Sequence, residues 1–169
     1  MSNLVPVEII ANKIFLIRGQ KVMLSTDLAT LYKVEVRALV QAVKRNIKRF
    51  PEDFMFQLSN DEFGNLKSQI VISSWGGARR AKPYAFTEQG VAMLSSVLNS
   101  ERAIMVNISI MRVFSKLKQL ALSHSELLRK VESLERKYGE HDRKIEVVFA
   151  TLKKMLTLPE PKKTGKMGF

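Results

Sequence analysis

The chain has 169 residues, a formal net charge of +12 at pH 7 and no cysteine. Because cysteine is absent, disulfides, thiolate metal sites and cysteine nucleophiles are excluded, and no apolar run is long enough to span a bilayer. The length suits one core of ordinary size with an extension, and the positive charge favours a polyanionic partner, either nucleic acid or an anionic membrane surface.

The N-terminal part of the sequence predicts a β-hairpin followed by a short helix. Apolar residues alternate with others over residues 13–24, and Gly19 at the first central position of the turn favours type II′. Ser25 or Thr26 is expected to cap the helix, with Asp27 in its first turn complementing the helix dipole. A short break at residues 33–35 ends this helix.

A basic helix is predicted next, in the segment RALVQAVKRNIKR at residues 37–49, which holds five basic residues and no acid. Apolar residues recur at helical spacing on one side, whereas Arg37, Gln41, Lys44 and Lys48 follow one another at steps of four, three and four on another. Pro51 ends the helix because its ring blocks the helical conformation of Phe50. A short helix, a turn and a basic helix form the layout of a helix-turn-helix unit that a DNA major groove accepts, and a solvated charged face is the alternative.

The middle of the chain predicts strands at residues 54–58 and 84–86 and an extended segment at 68–74. Ser59 or Asn60 is expected to cap a short helix, and Thr87 to cap a helix reaching Leu98. The loop at residues 75–83 is rich in glycine and cations, as is a wing that lies along phosphates, and the alternative is a disordered basic loop. Trp75 in this loop either stacks on a base or packs over the edge of the core.

The C-terminal third of the sequence predicts a long helix from Glu101, apolar on nearly all its sides, which becomes heptad-patterned at Leu117. The heptads indicate a parallel or antiparallel coiled-coil dimer, although the seam contains His124 and His141 and is further weakened by Gly139. Packing of this seam back onto the globular domain is the alternative. The expected dimerisation residues are Leu117, Leu120, Leu127, Val131, Leu134, Tyr138, Ile145, Val148 and Leu152.

Three collinear blocks, FLIRGQKVMLSTDLATLY, QAVKRNIKRFPEDFMFQLS and PYAFTEQGVAMLSSVLNSERA, resemble the phage-type ORF-six N-terminal domain, a family related to the KilA-N group. The resemblance covers residues 14–120 and implies a small α+β DNA-binding domain of bacterial, prophage and viral proteins, associated with regulation or antirepression. One departure is Val40, where family members often carry an asparagine that could contact adenine. Either this position is structural or base recognition differs in this chain.

The predicted fold is therefore α+β: a winged-helix-like domain at residues 1–116, a coiled-coil helix at 117–158 and a disordered basic tail at 159–169. We expect a dimeric, cytoplasmic, nucleoid-associated DNA-binding regulator; the first residues lack the features of a signal peptide. The alternatives are an antirepressor that captures a repressor through the coiled coil, and an RNA-binding protein. The expected DNA-binding residues are Arg37, Gln41, Lys44, Arg45, Asn46, Lys48, Arg49, Arg79, Arg80 and Lys82.

Neither catalysis nor a cofactor is predicted. The sequence has no P-loop and no GxSxG motif, both histidines fall in the heptad region, and the acids of the N-terminal part are scattered. The PEDF segment at residues 51–54 is expected to stop the basic helix and place Phe54 in the core. The TEQG segment at residues 87–90 is expected to start a helix with a close-packed glycine. Asn46 is expected either to cap the basic helix or to contact a base.

Overall fold

A computed structural model describes residues 5–69, 82–138 and 143–157. The chain divides into two compact units, Met1–Phe114 and Ser115–Phe169. The strands are β1 (Ile14–Ile17), β2 (Gln20–Leu24), β3 (Met55–Gln57) and β4 (Tyr84–Thr87). The helices are α1 (Val7–Ala11), α2 (Ser25–Tyr32), α3 (Val36–Arg45), α4 (Asn60–Gln69), α5 (Glu88–Leu98), α6 (Glu101–Tyr138) and α7 (Arg143–Thr157), with a 3-10 turn at Ile47–Arg49. The predicted α+β class is confirmed.

The four strands form one antiparallel sheet in the order β1-β2-β4-β3. Consecutive side chains of β2 point to opposite faces, yet Val22, Met23 and Leu24 are all fully buried, so both faces of the sheet are covered. Val22 and Leu24 belong to a cluster completed by Leu66 of α4. On the other face Met23 is opposite Phe86, and α2 and α5 contact the strands. The sheet is therefore packed on both faces, with α4 on one face and with α2 and α5 on the other.

The predicted hairpin is confirmed, but its turn type differs from the prediction. Ile17 pairs with Gln20, so the two central residues are Arg18 and Gly19. Both have positive φ, 54° and 72°. Positive φ at both positions marks a type I′ turn, whose twist matches that of the flanking strands. The prediction of a type II′ turn with Gly19 as the first central residue is wrong, because Arg18 is the first central residue and Gly19 the second.

Arg18 is held in this turn by the first turn of α4. Its Nε and Nη2 donate to the two carboxylate oxygens of Glu62, each at 2.8 Å, and its guanidinium lies 4.2 Å from the centre of the Phe56 ring. Glu62 also accepts from the Ser59 amide, while the Ser59 hydroxyl accepts from the Glu62 amide. This reciprocal pair is a capping box, so Ser59, one of the two predicted caps, begins α4.

The hydrogen bonds from Arg18 and from the Ser59 amide lower the pKa of Glu62 from 4.5 to about 2. A carboxylate whose pKa is lower in the folded state stabilises the fold above its unfolded pKa and loses that contribution as the pH falls. We expect Glu62→Gln to be less stable than the wild type at pH 6, with the difference shrinking between about pH 4.5 and 2. Urea unfolding followed by circular dichroism measures this, and Asp61→Asn in the same turn is the control. An equal deficit at pH 6 and at pH 2.5 would contradict it.

The start of α2 differs from the prediction as well. Leu24 is the N-cap residue and makes no side-chain cap, while Ser25 is the first helical residue. The Ser25 hydroxyl accepts a hydrogen bond from the Tyr84 amide at 3.1 Å, so it joins α2 to β4 instead of capping. Asp27 lies in the first turn, as predicted, but it is buried there, with its carboxylate 3.4 Å from the Lys13 ammonium. Its burial raises its pKa.

A buried polar network fixes the end of α2 against α5 and α6. The Tyr32 hydroxyl donates to the Asn107 side-chain oxygen, and the Asn107 amide nitrogen donates to the Val91 carbonyl at 3.0 Å. Arg102 Nε donates to the Leu31 carbonyl at 3.0 Å. Burial raises the pKa of Tyr32 well above its ordinary value, so the phenol remains a donor. These bonds join three helices at one point.

Replacing Tyr32 with phenylalanine should destabilise the fold by about 1–3 kcal/mol, because it leaves the buried Asn107 oxygen without its donor. Thermal unfolding measures the loss. Tyr84→Phe, which removes the hydroxyl of a half-buried tyrosine on β4, is the control and should cost less. A Tyr32→Phe variant as stable as the wild type would show that the network contributes nothing.

The predicted strands at residues 54–58 and 84–86 correspond to β3 and β4. Thr87 caps α5 as predicted, with its hydroxyl accepting from the Gly90 amide at 3.4 Å. Residues 68 and 69 belong to α4 and are helical, so the predicted extended segment is wrong there; the rest of it, at 70–74, lies outside the described residues.

The first part of α6 belongs to the core of the first unit. Ala103, Val106 and Ile110 are buried, and Val113 and Phe114 continue this side. Ile104 and Ile108 are about half exposed, so the helix is apolar on more sides than the core covers. None of the described helices is both long enough and apolar enough to cross a membrane.

In the second unit, α7 lies alongside α6 instead of extending it. Lys153 Nζ of α7 is 2.5 Å from a carboxylate oxygen of Glu135 on α6. On one continuous helix these residues would be separated by about 27 Å, at ~1.5 Å per residue. Within the described residues, the predicted coiled-coil helix at 117–158 is thus divided between the end of α6 and α7. His141 and Gly139 lie outside the described residues.

Candidate nucleic-acid interface

The described surface carries an exposed basic face on α3. Arg37, Gln41, Lys44 and Arg45 are all exposed. No acid occurs between Glu35 and Glu52. Within the part of the chain that the structure describes, the side chains of Arg37, Lys44 and Arg45 form no ion pair. Their charge is therefore available to a ligand.

The opposite side of α3 holds the helix on the core. Leu39 and Val43 are buried, and α3 contacts both α2 and α5. Val40 is half-buried and lines a small apolar pocket of about 100 Å³ together with Met55 and Phe86 of the sheet. Val40 thus packs toward the sheet, which favours the structural interpretation of this position.

The basic helix is shorter than predicted. It ends at Arg45, and a 3-10 turn follows at Ile47–Arg49. The Asn46 side-chain amide donates to the Ala42 carbonyl at 2.9 Å, so Asn46 closes the helix end, as one of its two predicted roles required. Lys48 and Arg49 are exposed but lie on the 3-10 turn, so the predicted continuous stripe from Arg37 to Lys48 is interrupted.

Arg49 is partly used inside the protein. Its Nη1 donates to the Ser96 hydroxyl of α5 at 3.1 Å. This bond ties the 3-10 turn to α5 and orients the segment that carries Lys48. Arg49 is therefore a positioning residue for the basic surface as well as a cation on it.

The turn between α2 and α3 has the geometry of a tight helix-turn-helix connection. Lys33 adopts the left-handed conformation at φ 56°, and the Val34 amide donates to the Ala29 carbonyl at 3.0 Å. This is the six-to-one bond of a Schellman ending. Lys33 is exposed and adds a cation beside the start of α3. The sequence analysis placed Lys33 in the break between the two helices and did not predict it as a DNA-binding residue. Its position directly before the basic helix was the available signal.

Of the three cations of the predicted wing, only Lys82 lies within the described residues. It is half-buried, and its carbonyl accepts from the Gln57 side-chain amide at 3.1 Å. Arg79, Arg80 and Trp75 lie outside the described residues. Among the residues that are described, no group of three or more His, Cys, Asp or Glu side chains is arranged to hold a metal ion.

The TEQG segment has the structural role that was predicted. A Cβ added to Gly90 would lie 2.1 Å from the Phe54 carbonyl oxygen. That oxygen also accepts from the Thr87 amide at 3.0 Å. The glycine therefore allows α5 to start directly against the segment that follows Pro51, and this contact fixes the base on which α3 packs.

These features define an α+β domain in which a short helix, a tight turn and an exposed basic helix are carried by a four-stranded sheet. A family model described as the ORF6N domain matches residues 12–97, just over half of the chain. The chain therefore belongs to the ORF6N-domain family, as the sequence blocks predicted. Comparisons with curated proteins and with solved structures returned no match.

Proposed function

We propose that this chain is a DNA-binding regulator of phage type that acts as a homodimer. The observation that carries the proposal is the basic face of α3, which is exposed and has no acidic partner among the described residues, on a helix whose other side is anchored in the core. Lysine and arginine contacts to phosphates supply sequence-independent affinity. Arg37 and Gln41, near the start of α3, are the side chains suited to contact base edges. Lys44, Arg45 and Lys48 are suited to phosphates.

A binding role is proposed in preference to a catalytic one. Both histidines lie outside residues 1–114, and the carboxylate of Glu62, whose pKa is lowered to about 2, is engaged by Arg18. A carboxylate used in this way stabilises a turn and a helix start. We propose that no cofactor is needed and that the protein works in the cytoplasm, at the nucleoid.

The test is fluorescence anisotropy of a labelled duplex titrated with the full chain at several salt concentrations. Binding to DNA phosphates should weaken linearly on a logarithmic scale as salt rises. Unlabelled duplex DNA and unlabelled RNA, added as competitors, separate DNA binding from the RNA alternative. Absence of duplex binding by the folded protein at low salt would contradict the proposal and favour the antirepressor alternative.

A further inference from the structure

The second unit keeps a row of apolar side chains exposed on α6. Leu120, Leu127 and Leu134 are spaced by seven residues, and each is about half exposed or more. Another side of the same helix is covered: Val131 is only 8% exposed, and Leu128 is half-buried near Glu135, the partner of Lys153. At about 100° per residue, the exposed row lies about a quarter turn from the covered side.

α7 has the same arrangement. Phe149, Lys153 and Leu156 are half-buried and mark the side that faces α6. Ile145, Val148, Leu152 and Met155 are exposed, at heptad-like steps of three, four and three. This row also lies about a quarter turn from the covered side, in the same rotational sense as the row on α6.

The direction of the helices brings the two rows together. Four residues separate Tyr138 from Arg143, and Lys153 reaches back to Glu135, so α7 runs antiparallel to α6. Each row is rotated about a quarter turn from the covered side of its own helix, in the same sense when viewed from the N-terminus to the C-terminus. Because the two helices are antiparallel, these two rotations place both rows on the same side of the hairpin. The hairpin therefore presents one continuous apolar face built from two helices.

We propose that this face binds the same face of a second copy, so that two α6–α7 hairpins form an antiparallel four-helix bundle. The inference specifies the dimer of the proposed function and rests on that dimerisation, but not on DNA binding. It replaces the two-stranded coiled coil that the heptads predicted. One self-complementary patch suffices, because a twofold axis pairs each row with its equivalent.

The size of the face fits a stable dimer. With Tyr138 included on α6, the two rows contain eight side chains. Their exposed fractions together equal the surface of about four fully exposed side chains. At roughly 150 Å² or more for each large side chain, this is roughly 600 Å² per copy. With the stems of flanking lysines added, it approaches the ~800 Å² per partner of a standard interface.

The first experiment measures the mass of the full chain by light scattering after size-exclusion chromatography. The wild type should have twice the chain mass of 19.2 kDa. Leu127→Lys on α6 and Val148→Lys on α7 should each give a monomer. Their matched controls are Leu122→Lys and Val147→Lys, at positions that are 67% and 65% exposed and lie outside the two rows. These controls should remain dimeric.

A second measurement separates the bundle from a two-stranded coiled coil. Since the chain has no cysteine, Glu135→Cys plus Lys153→Cys gives two unique thiols. A short bis-maleimide should link them within one chain, whereas a continuous helix would hold them about 27 Å apart. The single variant Glu135→Cys can only link two chains and is the control.

A monomeric wild type, or row variants as dimeric as their controls, would overturn the proposal. Failure of the intrachain link in a dimeric protein would also overturn it and restore the coiled coil. Circular dichroism verifies that each variant retains its helix content. Because neither readout involves DNA, failure here is distinguishable from failure of the duplex titration.

Discussion

Replacing Arg45 and Lys48 with alanine is expected to weaken duplex binding by roughly 10–100-fold at low salt and to reduce the slope of log affinity against log salt by about 2. Arg45 occupies the last turn of α3, and Lys48 lies on the 3-10 turn that follows. Both are exposed, and neither side chain forms a hydrogen bond or ion pair with another described residue. Their loss should therefore remove phosphate contacts without removing an internal contact.

The matched control for this variant is Arg129→Ala plus Lys154→Ala. It removes the same two charges from exposed positions in the second unit, outside the apolar rows. If net charge alone attracts DNA, both double variants should lose affinity equally, and the assignment of the interface to α3 would be wrong. Circular dichroism and thermal unfolding of the α3 variant should match the wild type. A collapsed fold would instead make those side chains structural.

Gly90→Ala is expected to destabilise the protein by about 3 kcal/mol or more, a large share of the ~5–15 kcal/mol that holds a typical domain together. The new methyl group would meet the Phe54 carbonyl oxygen at 2.1 Å and the carbonyl carbon at 3.0 Å. These are backbone atoms, and the oxygen accepts from both the amide and the hydroxyl of Thr87. A side-chain rotation cannot relieve this contact, so the start of α5 must move away from the backbone of Phe54.

Gly64→Ala is the matched control for Gly90→Ala. Gly64 lies within α4, and an added Cβ would meet nothing within 4 Å. Alanine should stabilise this helix by about 1 kcal/mol, since glycine is the poorer helix former. Urea unfolding of the two variants should thus shift the midpoint in opposite directions. A neutral Gly90→Ala would mean that α5 approaches Phe54 less closely than described.

Local sequence patterns predicted much of the fold because the interactions involved are local. Alternating apolar residues located the hairpin, Thr87 was recognised as a cap, and the basic helix was found from its two sides. Each of these signals lies within a few residues of the element that it specifies. Three collinear blocks were enough to identify the ORF6N-domain family.

Local patterns were misleading wherever a distant partner competed with a local role. Ser25 has the chemistry of a cap, but the Tyr84 amide takes its hydroxyl. The hairpin turn has Arg18 in a left-handed conformation, and Glu62 and Phe56 hold its side chain in place. The basic helix ends early at Arg45, and beyond it Arg49 donates to Ser96 of α5, which is 47 residues away in sequence.

The sequence by itself determined the class of fold, the order of the elements from the hairpin to α3 and the basic character of α3, because propensity, periodicity and charge are properties of short segments. Only the tertiary structure decided where α3 ends, which of its cations have no ion-pair partner among the described residues, and that α7 runs back along α6. A heptad repeat specifies which residues lie on one side of a helix, and it is satisfied equally by a partner chain or by the same chain reversed. That choice depends on contacts such as Glu135 with Lys153, which only the folded chain brings together.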